Sequence, residues 1–322
     1  MSSPRHQREL RLPPQAVGRR LDQALAEAMP EYSRSRLKRW IDAGQLRVDG
    51  RIPRPRDIVA GGERVVLDAP VEDAVTSVAQ SMPLAIAWED ADVIVVNKPA
   101  GLVVHPGAGN PDQTLQNALQ AYDPKLSKLP RAGIVHRLDK DTTGLLIVAR
   151  SDAARETLTE ALGARAIHRE YQAVCVGVMT SGGTVDAPID RHPVDRLRMT
   201  VRTSGRDAVT HYRVIERFRR HTWVRVMLET GRTHQIRLHL AHAGYPLVGD
   251  PVYGRRLVIP KGATPRLEEA LRAFRRQALH AARLAFPHPK DGRTIEVTAP
   301  LPPDLVGLID ALRRDAAASK KK

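Results

Sequence analysis

The sequence predicts an α+β protein in two parts, a small α/β module followed by a larger domain built on a mainly antiparallel, mixed sheet. Three observations carry this. The 322 residues are too many for one small domain and suffice for two compact units. A stretch holding Pro70, Ser77, Ser81 and Pro83 interrupts the apolar patterning between them. Beyond Trp88 the apolar segments come as strands in runs, with few strand-helix-strand alternations, which favours α+β over a doubly wound parallel sheet. The chain therefore divides into a flexible tail (1–15), the module (16–75), a linker (76–84), the main domain (85–315) and a basic tail (316–322).

Residues 1–15 are polar, basic and contain Pro, and Ser319–Lys322 is similar in kind, so both ends are expected to fray. Between Gly18 and Met29 the residues Leu21, Ala24, Leu25 and Ala28 recur at helical spacing, and Pro30 stops the run. Ser33 is placed to cap a second helix that buries Leu37, Trp40 and Ile41, with Gly44 ending it. Arg34, Arg36, Lys38 and Arg39 make the outer face of that helix cationic. Leu46 and Val48 alternate into an Asp49-Gly50 turn, and Arg64–Leu67 reads as the returning strand.

In the larger domain, Asp92–Pro106 reads as two short buried strands broken by Pro99 and Gly101, followed by a helix at Thr114–Tyr122. A loop within Gly133–Arg150 lies between apolar segments, and Ser151–Leu162 is helical. Further strands are expected at Tyr171–Val178, Val209–Ile215, Thr222–Glu229, His280–Phe286 and Thr294–Val297, and helices at 234–243 and 265–277.

Composition narrows the function. Lys and Arg number 51 against 36 Asp and Glu, a formal charge of +15, which suits a polyanionic partner such as nucleic acid. The single cysteine, Cys175, forms no intramolecular disulfide and no cysteine-based zinc site, consistent with a reducing, cytoplasmic setting. No stretch approaches the roughly 18 apolar residues of a membrane span, and no signal-peptide core opens the chain. Phe, Trp and Tyr make up only 4% of residues, too few for broad stacking platforms, so charge contacts to a phosphate backbone must do more of the gripping. Neither GxxxxGK[ST] nor GxGxxG occurs, which disfavours a nucleotide cofactor.

One segment concentrates chemistry. "HRLDKD" places His136, Arg137, Asp139, Lys140 and Asp141 between two apolar stretches. A carboxylate beside cations stays ionised and can act as nucleophile or base. By composition alone the segment equally describes a surface ion-pair loop. His234, His239 and His242 do not make a metal site, because His234 and His239 are five apart and leave one helix face. Asp139 with Asp141 also has the look of a glycosidase pair, which the sparse aromatics and the positive charge oppose.

Two resemblances extend this reading. The basic helix followed by "AGQLRVDGR" and "GGERVVL" resembles the alpha-L RNA-binding motif of the fourth small-subunit ribosomal protein, which implies RNA contact through Arg34, Arg36, Lys38 and Arg39. From about residue 85 to 300, "GIVHRLDKDTTGLLIVAR", "REYQAVCVG", "DAPIDRHP", "GRDAVTHYRV", "ETGRTHQIRLHLAHAGYPLVGDPVYG" and "RQALHAARLAFPHP" occur in the order that resembles the RluA-type family of uridine-to-pseudouridine isomerases. The resemblance implies that Asp139 is the catalytic carboxylate, that Arg137 levers the target base from its stack, that Tyr171 packs on the flipped base, and that Arg237 pairs with Asp139. The family often carries Lys two residues before this tyrosine, where Arg169 stands here. It further implies no cofactor and no metal, a monomer, and a ribosomal RNA or large-subunit particle as partner, with uridines of the helix 69 stem-loop of 23S rRNA as substrate. Rival expectations are a sister enzyme modifying other 23S rRNA or tRNA uridines, and a non-catalytic RNA-binding ribosome-assembly factor.

Overall fold

The computed structural model describes residues 5–320 apart from 33, 71–77, 108, 196, 197 and 255. Two compact units, Met1–Thr76 and Ser77–Lys322, divide the chain close to the expected linker.

In the N-terminal unit, β1 (Arg5–Arg11), α1 (Leu21–Ala28), α2 (Arg34–Asp42), β2 (Leu46–Val48) and β3 (Arg64–Pro70) form a three-stranded antiparallel sheet, order β1-β3-β2, against two helices. Leu21, Ala24 and Leu25 of α1 meet Leu37, Trp40 and Ile41 of α2 and Val65, Leu67 and Ala69 of β3 in one core. Burying each such leucine contributes about 1.5–3 kcal/mol. Gly44 ends α2 with φ +69°, and the Gly44 and Gln45 amides return to Ile41 O and Trp40 O, the left-handed stop expected of it. The expected cap, Ser33, lies outside the described residues.

The expected flexible tail is corrected here. Residues 5–11 pair with β3 from Arg5↔Pro70 to Arg11↔Arg64, and Leu12 and Ala16 are core residues. Cross-strand pairs Arg5–Asp68 and Arg64–Glu9 lace the ladder at 2.6 Å. Residues 1–4 lie outside the described residues.

The second unit holds a nine-stranded sheet. Its strands are β4 (Ile86–Glu89), β5 (Val93–Lys98), β6 (Thr143–Ala149), β7 (His168–Val176), β8 (Gly183–Asp186), β11 (Val209–Arg217), β12 (His221–Leu228), β13 (Leu279–Pro287) and β14 (Thr294–Thr298). Their order is β4-β5-β6-β13-β7-β12-β11-β8, with β14 on β13; β9 (Ile189–Arg191) and β10 (Met199–Val201) form a separate hairpin ladder. Among the described residues only β6 and β13 pair in parallel, so the mixed, mainly antiparallel expectation holds. The helices are α3 (Leu115–Tyr122), α4 (Asp152–Gly163), α5 (Gln235–His242), α6 (Pro265–Ala273) and α7 (Pro303–Ser319).

The strands β5 and β6 read as unbroken apolar runs because both sheet faces are covered. Ile94 and Val96 join the core of α3 and α5, while Val93 and Val95 face the core of α4. Where β6 meets β13 the backbones approach so closely that a Cβ on Gly144 would lie 2.2 Å from Ala281 O, so only glycine fits.

Three expectations need correction in this unit. Residues 102–104 are not a strand; after the Pro99–Gly101 turn, Val103 O and Val104 O accept the Leu115 and Gln116 amides at the start of α3. The second half of the linker is fastened rather than free, since Asn117 Nδ2 donates to Val78 O and Gln80 N to Asn117 O; residues 76 and 77 lie outside the described residues. The basic tail is mostly helix, because α7 runs on to Ser319 with Leu305, Leu308 and Leu312 packed on Leu267 and Leu271 of α6.

Candidate active site

Asp139 lies on the loop that leads into β6, and that loop is tied down along its length. The Ile147 amide donates to His136 Nε2 at 3.0 Å, Leu138 is buried in the core, Arg276 donates to Asp141 O, and Gln277 Nε2 donates to Thr142 Oγ1. Lys98, at the end of β5 and wholly buried, donates Nζ to Pro99 O, Leu102 O and Lys140 O at 2.7–2.9 Å. Burial pushes the Lys98 pKa down to about 8, and the nearby Asp141 and Asp139 resist that fall. Two residues rich in charge thus border Asp139 with their carbonyls already used, which leaves the Asp139 side chain 16% exposed and fixed in position.

Arg237, on the first turns of α5, bridges two carboxylates. Its Nε and Nη2 donate to Asp250 Oδ2 and Oδ1 at 2.7 and 2.9 Å, and its Nη1 donates to Asp139 Oδ2 at 3.0 Å. Asp250 also accepts the Val252 and Tyr253 amides and is completely buried. Burial alone would lower the Arg237 pKa, but Asp250 and then Asp139 outweigh it and raise it above the ordinary arginine value. Burial likewise pushes Asp250 upward, and the Arg237 hydrogen bonds outweigh that and hold the carboxyl below the usual carboxylate range. The result is a permanently charged guanidinium oriented by Asp250 and presented to Asp139.

The rest of the wall comes from β7 and the approach to α5. Tyr171 is 5% exposed, and burial raises its phenol pKa, an effect that Arg169 opposes and Asp139 reinforces. His234 caps α5 in a left-handed conformation, φ 57°, with Nδ1 3.0 Å from the Tyr253 hydroxyl and Nε2 3.9 Å from Asp139 Oδ1. The Met199 amide donates to that same hydroxyl, which leaves the phenol proton available to His234 Nδ1. Asp139, Arg137, Tyr171, Arg169, His105 and Arg131 all line one cleft of about 740 Å³, large enough for a nucleotide. Arg137 and Arg131 are exposed at it.

The sequence expectation thus placed Asp139, Arg137, Tyr171 and Arg237 in one cleft, and the structure brings them together. It missed Asp250, Lys98 and Tyr253, and weighed His234 only as one of three histidines considered for a metal site. Of these, Asp250 and Tyr253 stand in the "GDPVYG" string, and Lys98 precedes Pro99, but neither spacing nor periodicity marks them. His239 is buried between Thr210 Oγ1 and Ala187 O, a structural histidine and no metal ligand.

On α2, Arg34 pairs with Asp22 at 2.9 Å and Lys38 with Asp42 at 3.3 Å, while Arg36 lies 5.7 Å from the centre of the Trp40 ring. Arg34, Lys38 and Arg39 are exposed, so the cationic face is present, though partly neutralised.

Residues 92–242 match the family described as RNA pseudouridylate synthase, and residues 19–65 match the S4 domain. The chain is 57% identical over 310 residues to ribosomal large subunit pseudouridine synthase D of Xanthomonas campestris pv. campestris, covering 96% of this chain and 94% of that protein. The chain belongs to the RNA pseudouridylate synthase family. It is similar at 55% identity over 300 residues to the synthase D of Salmonella typhimurium, covering 93% of this chain and 92% of that one. Among solved structures, human RNA Pseudouridylate Synthase Domain Containing 1 superposes with a TM-score of 0.55 at 26% identity, over 72% of this chain and 95% of the other. Human RNA Pseudouridylate Synthase Domain Containing 4 does so with a TM-score of 0.56 at 28% identity, over 71% and 93%. The protein is accordingly an RNA pseudouridine synthase, an isomerase, joined to an N-terminal S4 domain. No helix among the described residues is long and apolar enough to cross a membrane.

Proposed function

We propose that this synthase isomerises uridines of 23S ribosomal RNA, in the helix 69 stem-loop, with Asp139 as the carboxylate that opens the reaction. The observation that carries the site assignment is the asymmetry of Asp139. Its Oδ2 takes the Arg237 Nη1–H, whereas Oδ1 has no hydrogen bond among the described residues and belongs to a group lining the cleft. A carboxyl oxygen that accepts no hydrogen bond, beside a fixed countercharge, is preorganised to add to the sugar or the base or to remove a sugar proton.

The chemistry assigns the other roles. A uridine inside a stem hides the bonds that must change, so the nucleotide is extruded at a cost of about a few kcal/mol, recovered from contacts in the cleft. Exposed Arg137 is suited to fill the vacated stack, and buried Tyr171 offers a flat apolar surface to the base. Substrate and product are isomers, so the reaction balances without an external oxidant or reductant. The S4 unit adds a second RNA contact through Arg34, Arg36, Lys38 and Arg39, raising the local concentration of the substrate. The choice of large-subunit RNA is supported by the names of the synthase D relatives, at 55–57% identity; the helix 69 target rests on the family resemblance.

Mapping pseudouridines in ribosomal and transfer RNA from cells with and without this gene tests the reading. Loss confined to helix 69 of 23S rRNA is the expected outcome, restored by the wild-type gene and not by Asp139→Asn. Loss at tRNA or other rRNA positions would replace the substrate, and restoration by Asp139→Asn would remove the mechanism.

A further inference from the structure

The least expected group in the cleft is Arg169. It stands on β7 two residues before Tyr171, and strand alternation sends both side chains to the same sheet face. It is 8% exposed, nearly as buried as Arg237 at 4%. Arg237 has two carboxylates; Arg169 has none within 4.0 Å among the described residues, and its Nε is sealed from solvent with no hydrogen-bond partner. A guanidinium nitrogen sealed without an acceptor opposes folding. The fold nevertheless makes room for it, because a Cβ on Gly231 would lie 2.6 Å from Arg169 Nη1.

The neighbouring His136 repeats the pattern. Its Nε2 accepts the Ile147 amide, which leaves the ring proton on Nδ1, and Nδ1 is also sealed without a partner. Two donors without acceptors therefore border the cleft that holds Tyr171 and Asp139. The Nη groups of Arg169 make no hydrogen bond among the described residues and, unlike its Nε, are not sealed off, so they are the donors open to a ligand oxygen in the cleft.

We propose that Arg169 is a catalytic residue that donates to a carbonyl oxygen of the target uracil and stabilises the anion formed when the base detaches. The inference rests on the isomerase chemistry above. When the C1′–N1 bond breaks, its electron pair stays on the ring and spreads over N1 and the carbonyl oxygens. The ring then supplies a pair from C5 to form the C5–C1′ bond, the C5 proton leaves, and N1 regains a proton, so the product is again neutral. A fixed cation beside the carbonyl is used most in the interval between the two bonds. The position favours the base over a phosphate. A phosphodiester belongs at the mouth, where Arg131 and Arg137 are exposed, whereas Arg169 lies at the depth of Tyr171.

The test compares full-length Arg169→Met and Arg169→Lys with wild type on an RNA stem-loop carrying the target uridine. Arg169→Met is expected to lower the single-turnover rate at saturating RNA about 100-fold, the usual effect of losing one such donor. Its RNA affinity should stay within about twofold, and its Tm should equal or exceed that of wild type, because an apolar group replaces an unpaired charge. Arg169→Lys, which keeps the charge and loses the fork, should lose less. With 5-fluorouridine at the target, whose ring is a more stable anion, the rate of C1′–N1 cleavage should fall less than with uridine. A wild-type rate in Arg169→Met overturns the proposal. So does a loss of affinity that accounts for the loss of rate, which places Arg169 on a phosphate, and so does a lowered Tm in both variants, which makes it a structural post. If wild type itself forms no pseudouridine, the isomerase reading fails first, a result distinct from these.

Discussion

Asp250→Asn should uncouple the stability of the catalytic unit from its surface and damage the reaction without touching the substrate. The amide is nearly isosteric and keeps an oxygen for the Val252 and Tyr253 amides, so those two bonds survive. What it removes is the negative charge opposite Arg237 Nε and Nη2, at 2.7 and 2.9 Å, in a place where Asp250 is wholly buried and Arg237 5% exposed. Breaking a buried pair from one side costs about 3–5 kcal/mol. Arg237 retains Asp139 as a partner at 3.0 Å, so the lower end, about 3 kcal/mol, applies. At about 2–4 °C per kcal/mol for a domain of this size, the expected fall in Tm is about 6–12 °C. The single-turnover rate should fall about 100-fold, because a guanidinium released from Asp250 no longer holds Asp139 in register. Thermal unfolding of the full chain and single-turnover isomerisation, measured on the same preparations, give both numbers. An unchanged Tm with an unchanged rate would refute the idea that Asp250 orients the Arg237–Asp139 pair. A large fall in Tm with a wild-type rate at permissive temperature would make Asp250 a purely structural anchor.

Other expectations follow from the same geometry. Asp139→Asn should bind RNA as wild type does yet form no pseudouridine, and, because Asp139 makes a single hydrogen bond to Arg237, its Tm should move far less than that of Asp250→Asn; gel-shift, rate and melting data check this. Burial, followed by the charge of Arg169, lowers the His136 pKa to about 3, and burial first of all lowers His105 and His221 to about 4. Their unfolded values lie near 6.5, so the unfolded chain binds more protons below that pH, and stability is lost as pH falls from about 6.5 through the folded values. Across that window His136→Asn should flatten the dependence of stability on pH by up to about one proton, and an unaltered slope in pH-dependent melts would refute it. Removing residues 1–76 should leave a folded unit with a higher KM, a shallower salt dependence of RNA binding and a nearly unchanged single-turnover rate at saturating RNA; a folded truncation without single-turnover activity would mean that the S4 unit helps build the active site.

The parts of the fold legible in the sequence are those whose periodicity is local. Leu21, Ala24 and Leu25 announce α1 because one helix face is buried, and residues 93–98 announce β5 because both faces of the strand are covered, whereas 143–149, covered in the same way, shows in the sequence only as an apolar segment beside a loop. The strand β1 was illegible for the opposite reason. Arg-His-Gln-Arg-Glu-Leu-Arg has no apolar alternation, and what makes it a strand is a partner more than fifty residues away whose Asp68 and Arg64 meet its Arg5 and Glu9. The hairpin of β9 and β10, three residues on each side, is similarly set by distant contacts, Met199 bonding to Tyr253.

The site divides along the same line. Asp139 was legible because five polar or charged residues within one loop, His136, Arg137, Asp139, Lys140 and Asp141, interrupt apolar segments on both sides. Asp250 was not, and Arg169 was marked only by the family resemblance, for opposite electrostatic reasons. Asp250 looks like one acid among 36 until the fold buries it against a guanidinium thirteen residues earlier. Arg169 looks like an ordinary charge at the start of a strand until the fold buries it with no carboxylate partner among the described residues. A sequence can mark where charge is unusual, but whether a charge is paired is a property of tertiary structure. The two buried arginines of this cleft lie on that boundary. Arg237 is satisfied within the protein, which makes it a tool for holding Asp139. Arg169 is left for the substrate, which makes its missing partner the observation that points to its use.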